Sequence, residues 1–360
     1  MKIGIDAQTT LGEKTGFGFY LSNLINNLQK IDKENTYCLF KPEIDKDLST
    51  PQRLIWDQYH IPKLAQKNNV DILHQPCFSA PIFYKGKVIV TIHDIIAILF
   101  GKDIPFFSRQ FFSKIMPYSY SRADRIIAIS EHTKNDIVKY LRISPEKIRV
   151  IPLAADDEYY KDVSENKIVS LKRKYKISDK YMLHIGTLNP RKNLLFLIKV
   201  YSQIVKTFPN YQLVITGKKG WYYQSLFDLV DELKLNDKVI FTGYIDDKEK
   251  PAFYKGASLF LFPSLYEGFG LPPLEAMASG VPVISSNTSS LPEVIGEAGI
   301  LLSPTDELGW VRSIKQVLQD KNLQKVLSKK SQIQASNFSW EKNARQTLEV
   351  YKEVYNQNSK

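Results

Sequence analysis

Phe262-Pro263-Ser264-Leu265-Tyr266-Glu267-Gly268-Phe269-Gly270-Leu271-Pro272-Pro273-Leu274-Glu275-Ala276-Met277-Ala278-Ser279-Gly280 reads as a strand, a glycine-rich loop and a helix in direct succession. Gly268 and Gly270 let a backbone approach a ligand closely, Pro272 and Pro273 suit a helix's first turn, and Gly280 suits its C-terminal cap. The loop therefore ends on a helix N-terminus, where free N–H groups and the helix dipole attract anions. Two carboxylates flank it eight positions apart, Glu267 before the glycines and Glu275 in the expected first turn. A carboxylate accepts paired hydrogen bonds from vicinal hydroxyls, so one could hold a sugar ring and the other a ribose, with phosphates between them. On the plainer reading, Glu275 complements the helix dipole and Glu267 is solvated.

Working outward, the strand–loop–helix unit repeats. Tyr181–Ile185, Gln212–Thr216, Lys238–Thr242, Leu259–Phe262 and Val281–Ser285 are short apolar runs separated by helical patterns such as Leu194–Phe208 and Tyr223–Leu233. In the first half, Lys2–Ile5, Ile72–His74, Lys87–Ile92, Arg125–Ile129 and Arg149–Pro152 do the same. This alternation predicts two doubly wound α/β domains with parallel sheets. A polar stretch, Asp156 to Asp179, interrupts the rhythm and places the boundary near 165/166. Ligands bind beyond the carboxyl ends of such strands, so two facing sheets would line one cleft.

Composition narrows the class. A chain of 360 residues with 43% hydrophobic and 24% charged residues suits two ordinary globular domains. Cys38 and Cys77 alone make neither a disulfide framework nor a zinc site, which points to a reducing compartment. No signal peptide pattern and no run of about 18 apolar residues is present, so a cytoplasmic protein is expected, with the inner face of the cell membrane as a further option. The net charge of +11 favours anionic partners, but no zinc-finger, RRM or KH signature accompanies it, and nucleic acid is not expected.

The Glu-Gly-Phe-Gly-Leu-Pro-Pro-Leu-Glu context of 267–275 resembles the retaining glycosyltransferases of the GT-B fold, family four (group 1), whose hallmark is two glutamates separated by seven residues. The resemblance covers nearly the whole chain, and Phe338-Ser339-Trp340-Glu341 is similar to the segment that starts the family's closing helix. It implies a donor domain at 166–337 and an acceptor-side domain at 1–165 joined by a returning helix, 338–360. It also implies that Glu267 contacts the donor sugar, that Gly268, Phe269, Gly270 and Leu271 offer backbone amides to sugar and phosphate, and that Glu275 binds the ribose.

Other motifs follow in the expected order. Gly186-Thr187-Leu188-Asn189-Pro190-Arg191-Lys192-Asn193 joins a strand to a helix, where Arg191 and Lys192 could neutralise a departing diphosphate in place of a metal ion. Taken alone, such a pair is more often a patch of surface charge. Thr15-Gly16-Phe17-Gly18-Phe19-Tyr20 reads as a loop before the helical pattern Leu21–Leu28, and the resemblance brings Gly16, Phe17 and Gly18 near the donor phosphate. Phe19 stands where the family often has a basic residue. His93 and Asp94 end the strand Lys87–Ile92; by the resemblance His93 lies near the donor sugar, whereas structurally such a His is bonded into its own loop. Ser130 could equally be an N-cap. Gly217 and Tyr244, at strand ends, are candidates for the border of the base pocket.

Asp45-Lys46-Asp47 lacks a preceding strand and is not read as a metal site, so no cofactor or metal is expected beyond the nucleotide-sugar itself. Pro105–Met116 mixes aromatic and basic residues, which suits either peripheral membrane contact or a buried helix face. The resemblance thus implies transfer of a hexose, glucose or mannose, from a UDP- or GDP-sugar to a glycan or lipid-linked acceptor hydroxyl, with retention and without metal, in surface polysaccharide or glycolipid synthesis. The alternatives are a catalytically silent nucleotide-sugar-binding partner and a sugar-nucleotide epimerase on the same fold.

Overall fold

The short Val- and Ile-rich runs are strands in the structure, a computed structural model that describes residues 1–11, 16–43, 48–100 and 109–357. They form two six-stranded sheets, every pair parallel. The first comprises β1 (Lys2–Asp6), β2 (Thr36–Phe40), β3 (Ile72–Gln75), β4 (Lys87–Ile92), β5 (Arg125–Ala128) and β6 (Ile148–Val150), in the order β2-β1-β3-β4-β5-β6. The second comprises β7 (Lys180–Ile185), β8 (Tyr211–Thr216), β9 (Val239–Gly243), β10 (Leu259–Phe262), β11 (Val283–Ser286) and β12 (Ile300–Leu302), ordered β12-β11-β10-β7-β8-β9.

Two strands escape the sequence pattern, and both are edges. In Thr36–Phe40 only Phe40 is buried, and Ile300–Leu302 is three half-buried residues. An edge strand covered on one side needs no continuous apolar run, so little marks it in sequence. The order of each sheet reverses once: between β1 and β3 in the first, and between β7 and β10 in the second. At such switch points the outgoing loops diverge and leave a crevice.

The chain divides into two units, Met1–Leu153 with Ser339–Lys360, and Ala154–Phe338. The first division thus falls at 153/154 and not at 165/166. The reason is aromatic: Tyr159 sets its ring edge-on to Tyr254 at 5.6 Å, and Tyr160 donates to the Ala335 carbonyl at 3.0 Å, tying this segment to the second unit. The polar stretch beyond it is the solvent face of a helix, Glu165–Tyr175, that buries Ile168 and Leu171.

On the return, Ser339 caps the helix Trp340–Asn356 by accepting from the Lys342 amide. That helix belongs to the first unit, where the Tyr351 hydroxyl bonds His74 Nδ1 at 2.7 Å and Glu353 pairs with Arg125 and Arg149.

The two calls on loops divide. Asp45-Lys46-Asp47 and Pro105 to Ser108 lie outside the described residues. The described part of the second stretch packs inward, with Phe111 and Met116 buried and Phe112 and Ile115 against the same core. Among the described residues, no helix is long and apolar enough to cross a membrane, and no group of three or more His, Cys, Asp or Glu could hold a metal ion.

Candidate active site

In the second unit the switch point brings two loops together, one after β7 (Gly186–Asn193) and one after β10 (Pro263–Gly270), because β7 and β10 are hydrogen-bonded neighbours. Gly270 has φ +117°, and a Cβ there would come within 2.9 Å of Leu291. It caps the helix Leu271–Ala278, which closes with Gly280 at φ +74° and the bonds Gly280 N–H to Met277 and Val281 N–H to Ala276. These paired bonds around a left-handed glycine are a Schellman motif.

Pro272 and Pro273 have no N–H, so they remove two of the donors a helix N-terminus normally offers. An anion at this terminus therefore depends on the amides of the glycine loop and Leu271. Hydroxyls from the loop after β11 hold that loop in shape: the Glu267 amide donates to Ser289 Oγ at 2.8 Å, and Ser290 Oγ donates to the carbonyls of Glu267 and Phe269 at 2.9 and 2.7 Å. The Phe269 side chain is buried against Phe338, so only its backbone faces the loop's concavity.

Glu267 is not solvated. Only 9% exposed, its Oε1 accepts from Lys192 at 2.5 Å, Arg191 at 2.9 Å and Ser264 at 2.6 Å. Burial disfavours its charge, but attraction from Lys192, then Arg191, and the hydrogen bonds outweigh this and bring its pKa to about 2. Lys192 is likewise buried, which rules out the surface-patch reading. Arg191 also donates to the Tyr266 carbonyl, and the Leu265 amide donates to the Arg191 carbonyl at 2.8 Å, stitching the two loops together.

Gly186 leaves room for the Lys192 stem: a Cβ there would lie 3.3 Å from Lys192 Cε and 3.2 Å from His184 Nε2. His184 donates from Nδ1 to the Leu261 carbonyl at 3.0 Å, and burial pushes its pKa down to about 4. Gly217 serves packing too, since at φ +150° a Cβ would sit 1.9 Å from the Gly186 carbonyl oxygen.

Glu275 lies in the helix's second turn, because the helix starts at Leu271 and its first turn carries no acidic residue. Its Oε2 accepts from the Tyr254 hydroxyl at 2.8 Å, and the Tyr159 hydroxyl bonds it as well. The dipole reading therefore fails: this is a specifically bonded carboxylate. Burial raises its pKa against the opposing pull of Lys250 and the tyrosine hydroxyls. Tyr244 stands exposed after β9 with Lys218 Nζ 4.8 Å from its ring centre.

In the first unit, Gly16, Phe17 and Gly18 are not in a loop: they begin the helix Gly16–Ile31. Phe17 and His93 meet edge to face at 4.7 Å. His93 is buried, and Nε2 lies 3.0 Å from the Pro76 carbonyl, which can only accept. Nε2 therefore carries the proton; burial pulls the pKa down to about 4, and the neutral ring presents an acceptor at Nδ1. As placed, His93 is bonded into its loop and could accept from a sugar hydroxyl but not donate to it. Ser130 is an N-cap, accepting from the Thr133 amide at 3.0 Å.

Sequence reading missed Ser264, His184, Ser289, Ser290, Tyr159 and Tyr254. Only the hydroxyl run Thr288-Ser289-Ser290 after β11 carried a visible signal. It also missed a buried group under Trp56–His60, a π-helical turn. There Asp6 accepts from Trp56 Nε1 at 3.0 Å, Asp57 accepts from Ser79 Oγ at 2.6 Å, and Arg53 stacks 4.0 Å over Phe78.

Comparison with known proteins identifies the family and the fold. The profile for "Glycosyl transferases group 1" matches residues 170–334, and that for "Glycosyltransferase Family 4" matches 36–159. O-antigen chain mannosyltransferase B of Escherichia coli is 33% identical over 283 residues, 78% of this chain and 74% of that protein. The serotype-specific mannosyltransferase WbdA of Escherichia coli is 33% identical over 272 residues, 74% of this chain but only 33% of that longer protein.

Among solved structures, a glycosyltransferase from Rickettsia africae ESF-5 aligns at TM-score 0.76 with 19% identity, covering 99% of each chain. Anabaena Alr3699/HepE in complex with UDP and glucose aligns at TM-score 0.77 with 18% identity, covering 98% of this chain and 100% of that one. At these identities the structures establish the fold, while the sequence relatives establish kinship: the chain belongs to the group 1, family 4 glycosyltransferases of the GT-B fold.

Proposed function

We propose that this glycosyltransferase moves mannose from a nucleotide-sugar to a hydroxyl of a glycan or lipid-linked acceptor during surface polysaccharide assembly, with retention at the anomeric carbon. Of the two hexoses left open by the sequence, mannose is favoured by the names of the relatives, O-antigen chain and serotype-specific mannosyltransferases. The observation that carries the site assignment is the buried group Arg191, Lys192 and Glu267 at the switch point beside the glycine loop. Two cations against one carboxylate leave net positive charge where a diphosphate would leave.

In this reading Lys192 and Arg191 hold the departing diphosphate and Glu267 accepts from sugar hydroxyls. Amides of Gly268, Gly270 and Leu271 complete the phosphate contacts, Glu275 takes the ribose, and Tyr244 borders the base. No metal is required, since the two cations supply the charge. Glu267 is a poor nucleophile: its Oε1 is already engaged by three donors and its pKa is about 2. That favours front-face substitution. The bond from C1 to the phosphate oxygen breaks, the bond from the acceptor oxygen to C1 forms on the same face, and the acceptor's proton passes to the departing phosphate. In the first unit, His93 Nδ1 can accept a hydrogen bond from a hydroxyl, and His93, Gly16, Phe17 and Gly18 keep the donor contacts that the family resemblance implies.

The test is calorimetric and thermal-shift titration with UDP, GDP and their glucose and mannose conjugates, with EDTA present. A ligand at a hundred times its dissociation constant stabilises the native state by about 2.7 kcal/mol. Tight binding of one mannose conjugate with turnover is expected. Binding without transfer to any acceptor would favour a silent partner, and no binding would overturn the donor site.

A further inference from the structure

We propose that Tyr254 and Tyr159 are positioning residues that orient Glu275 for the two vicinal hydroxyls of a ribose, and so make the site selective for ribonucleotides. The proposal rests on the reading above in which Glu275 takes the ribose. Tyr254 donates to Oε2 at 2.8 Å, and the Tyr159 hydroxyl bonds the same carboxylate from the segment just after the 153/154 division. The two rings meet edge to face at 5.6 Å and both side chains are buried, so neither hydroxyl is free to turn to solvent.

A carboxylate has about four lone-pair positions. The tyrosines take two, which fixes its rotation, and the others remain for a bidentate pair of hydroxyls. Glu275 itself is only half-buried, whereas Tyr254 and Tyr159 lie beneath it. In the proposal, the lone pairs that the tyrosines leave unused meet the ligand.

The charge around Glu275 suits that task. Lys250, bonded to Asp247 at 2.7 Å, faces it from the helix Lys250–Lys255, the same helix that carries Tyr254. Asp156 opposes it from the segment that carries Tyr159. Burial is the largest influence and raises the Glu275 pKa, while Lys250, Tyr254 and Tyr159 lower it. Only the ionised carboxylate can accept from four hydroxyls, so ribose affinity falls as pH drops through that raised pKa. Removing a tyrosine hydroxyl removes a lowering influence, which moves the midpoint of this loss to higher pH.

The experiment uses the full chain, with GDP and UDP and their 2′,3′-dideoxy counterparts, titrated by calorimetry at neutral pH and at a series of lower values. Wild type is expected to prefer the ribonucleotide. Tyr254→Phe should weaken ribonucleotide binding about tenfold, the loss of a hydrogen bond to a charged group, and leave the dideoxy nucleotide within about twofold. The acid midpoint should rise. Tyr159→Phe should act in the same direction and stands in if Tyr254→Phe fails to fold.

Two adverse results are distinguishable. If wild type discriminates against the dideoxy nucleotide but neither tyrosine variant changes affinity or midpoint, the positioning role is wrong and Glu275 keeps the ribose. If wild type binds ribo and dideoxy forms alike, the assignment of Glu275 to ribose falls, and the positioning role with it.

Discussion

The switch points of the two sheets carry buried polar groups with opposite balances of charge. At β7 and β10, two cations surround one carboxylate, and the Glu267 pKa drops to about 2. At β1 and β3, Asp6 and Asp57 share one cation, Arg53; burial raises both pKa values, and the charge of Asp6 raises that of Asp57 further. In the first group Glu267 is bonded by three donors, and His184 Nε2 beside it is buried without a partner among the described residues. In the second, both side-chain polar atoms of Gln8 and Gln75, one Asp57 oxygen and one Arg53 nitrogen are buried without a partner among the described residues. The same topology thus yields a net positive site suited to an anion in one unit and a proton-holding, under-bonded group in the other. Topology fixes where a site can lie; side chains decide what it can hold.

The sharpest way to break this contrast is Lys192→Met. It leaves Glu267 buried with half its counter-charge, at a cost of about 3–5 kcal/mol, and should abolish donor binding. Adding Glu267→Gln should recover much of the stability and none of the binding, read by urea unfolding and calorimetry. Normal donor binding by Lys192→Met would remove the positive group from the mechanism.

The acid–base contrast predicts a smaller effect of opposite sign. Glu267, with its pKa lowered from 4.5 to about 2, contributes stability present above about pH 4.5 and lost as pH falls toward 2. Asp57, raised, contributes stability present at low pH and lost as pH rises through its folded value. Asp57→Asn should therefore gain stability relative to wild type as pH rises, by about 1–3 kcal/mol, without changing donor affinity. A pH-independent difference in chemical denaturation would show that Asp57 ionises freely.

The smallest effect is at Gly16, where a Cβ would meet nothing within 4 Å among the described residues. Gly16→Ala in this first helical turn should leave the melting temperature unchanged or raise stability by about 0.5 kcal/mol. Transfer should nonetheless fall several-fold if a ligand uses that open space as proposed. Unaltered transfer would leave Gly16 with no part in binding.

Much of the unit-2 site was legible because its chemistry is local. Glu267 to Leu271 and Arg191 with Lys192 are contiguous runs at strand ends, where glycine and proline have direct conformational meaning. What failed was whatever depended on packing. Glu275 was placed in the first turn and lies in the second because the helix start shifts with one glycine's φ, and Gly16 to Gly18 were taken for a loop because many strand-to-helix turns carry glycines. His93 showed its strand-end position without its tautomer, which a carbonyl seventeen residues earlier, at Pro76, decides through space. Edge strands at 36–40 and 300–302 lacked the apolar run that central strands require.

By itself, the sequence determined the class of fold, the alternation of strand and helix, the family and the loop that carries Glu267, because each is written in short-range periodicity and turn chemistry. Only the tertiary structure decided where the units divide, that Glu267 is an ion-paired buried group, that two tyrosines grip Glu275, and that Asp6, Arg53 and Asp57 converge. Those depend on residues far apart in the chain, as with Tyr159 and Glu275, 116 positions apart, whose charges and hydrogen bonds are set by burial that no local window contains.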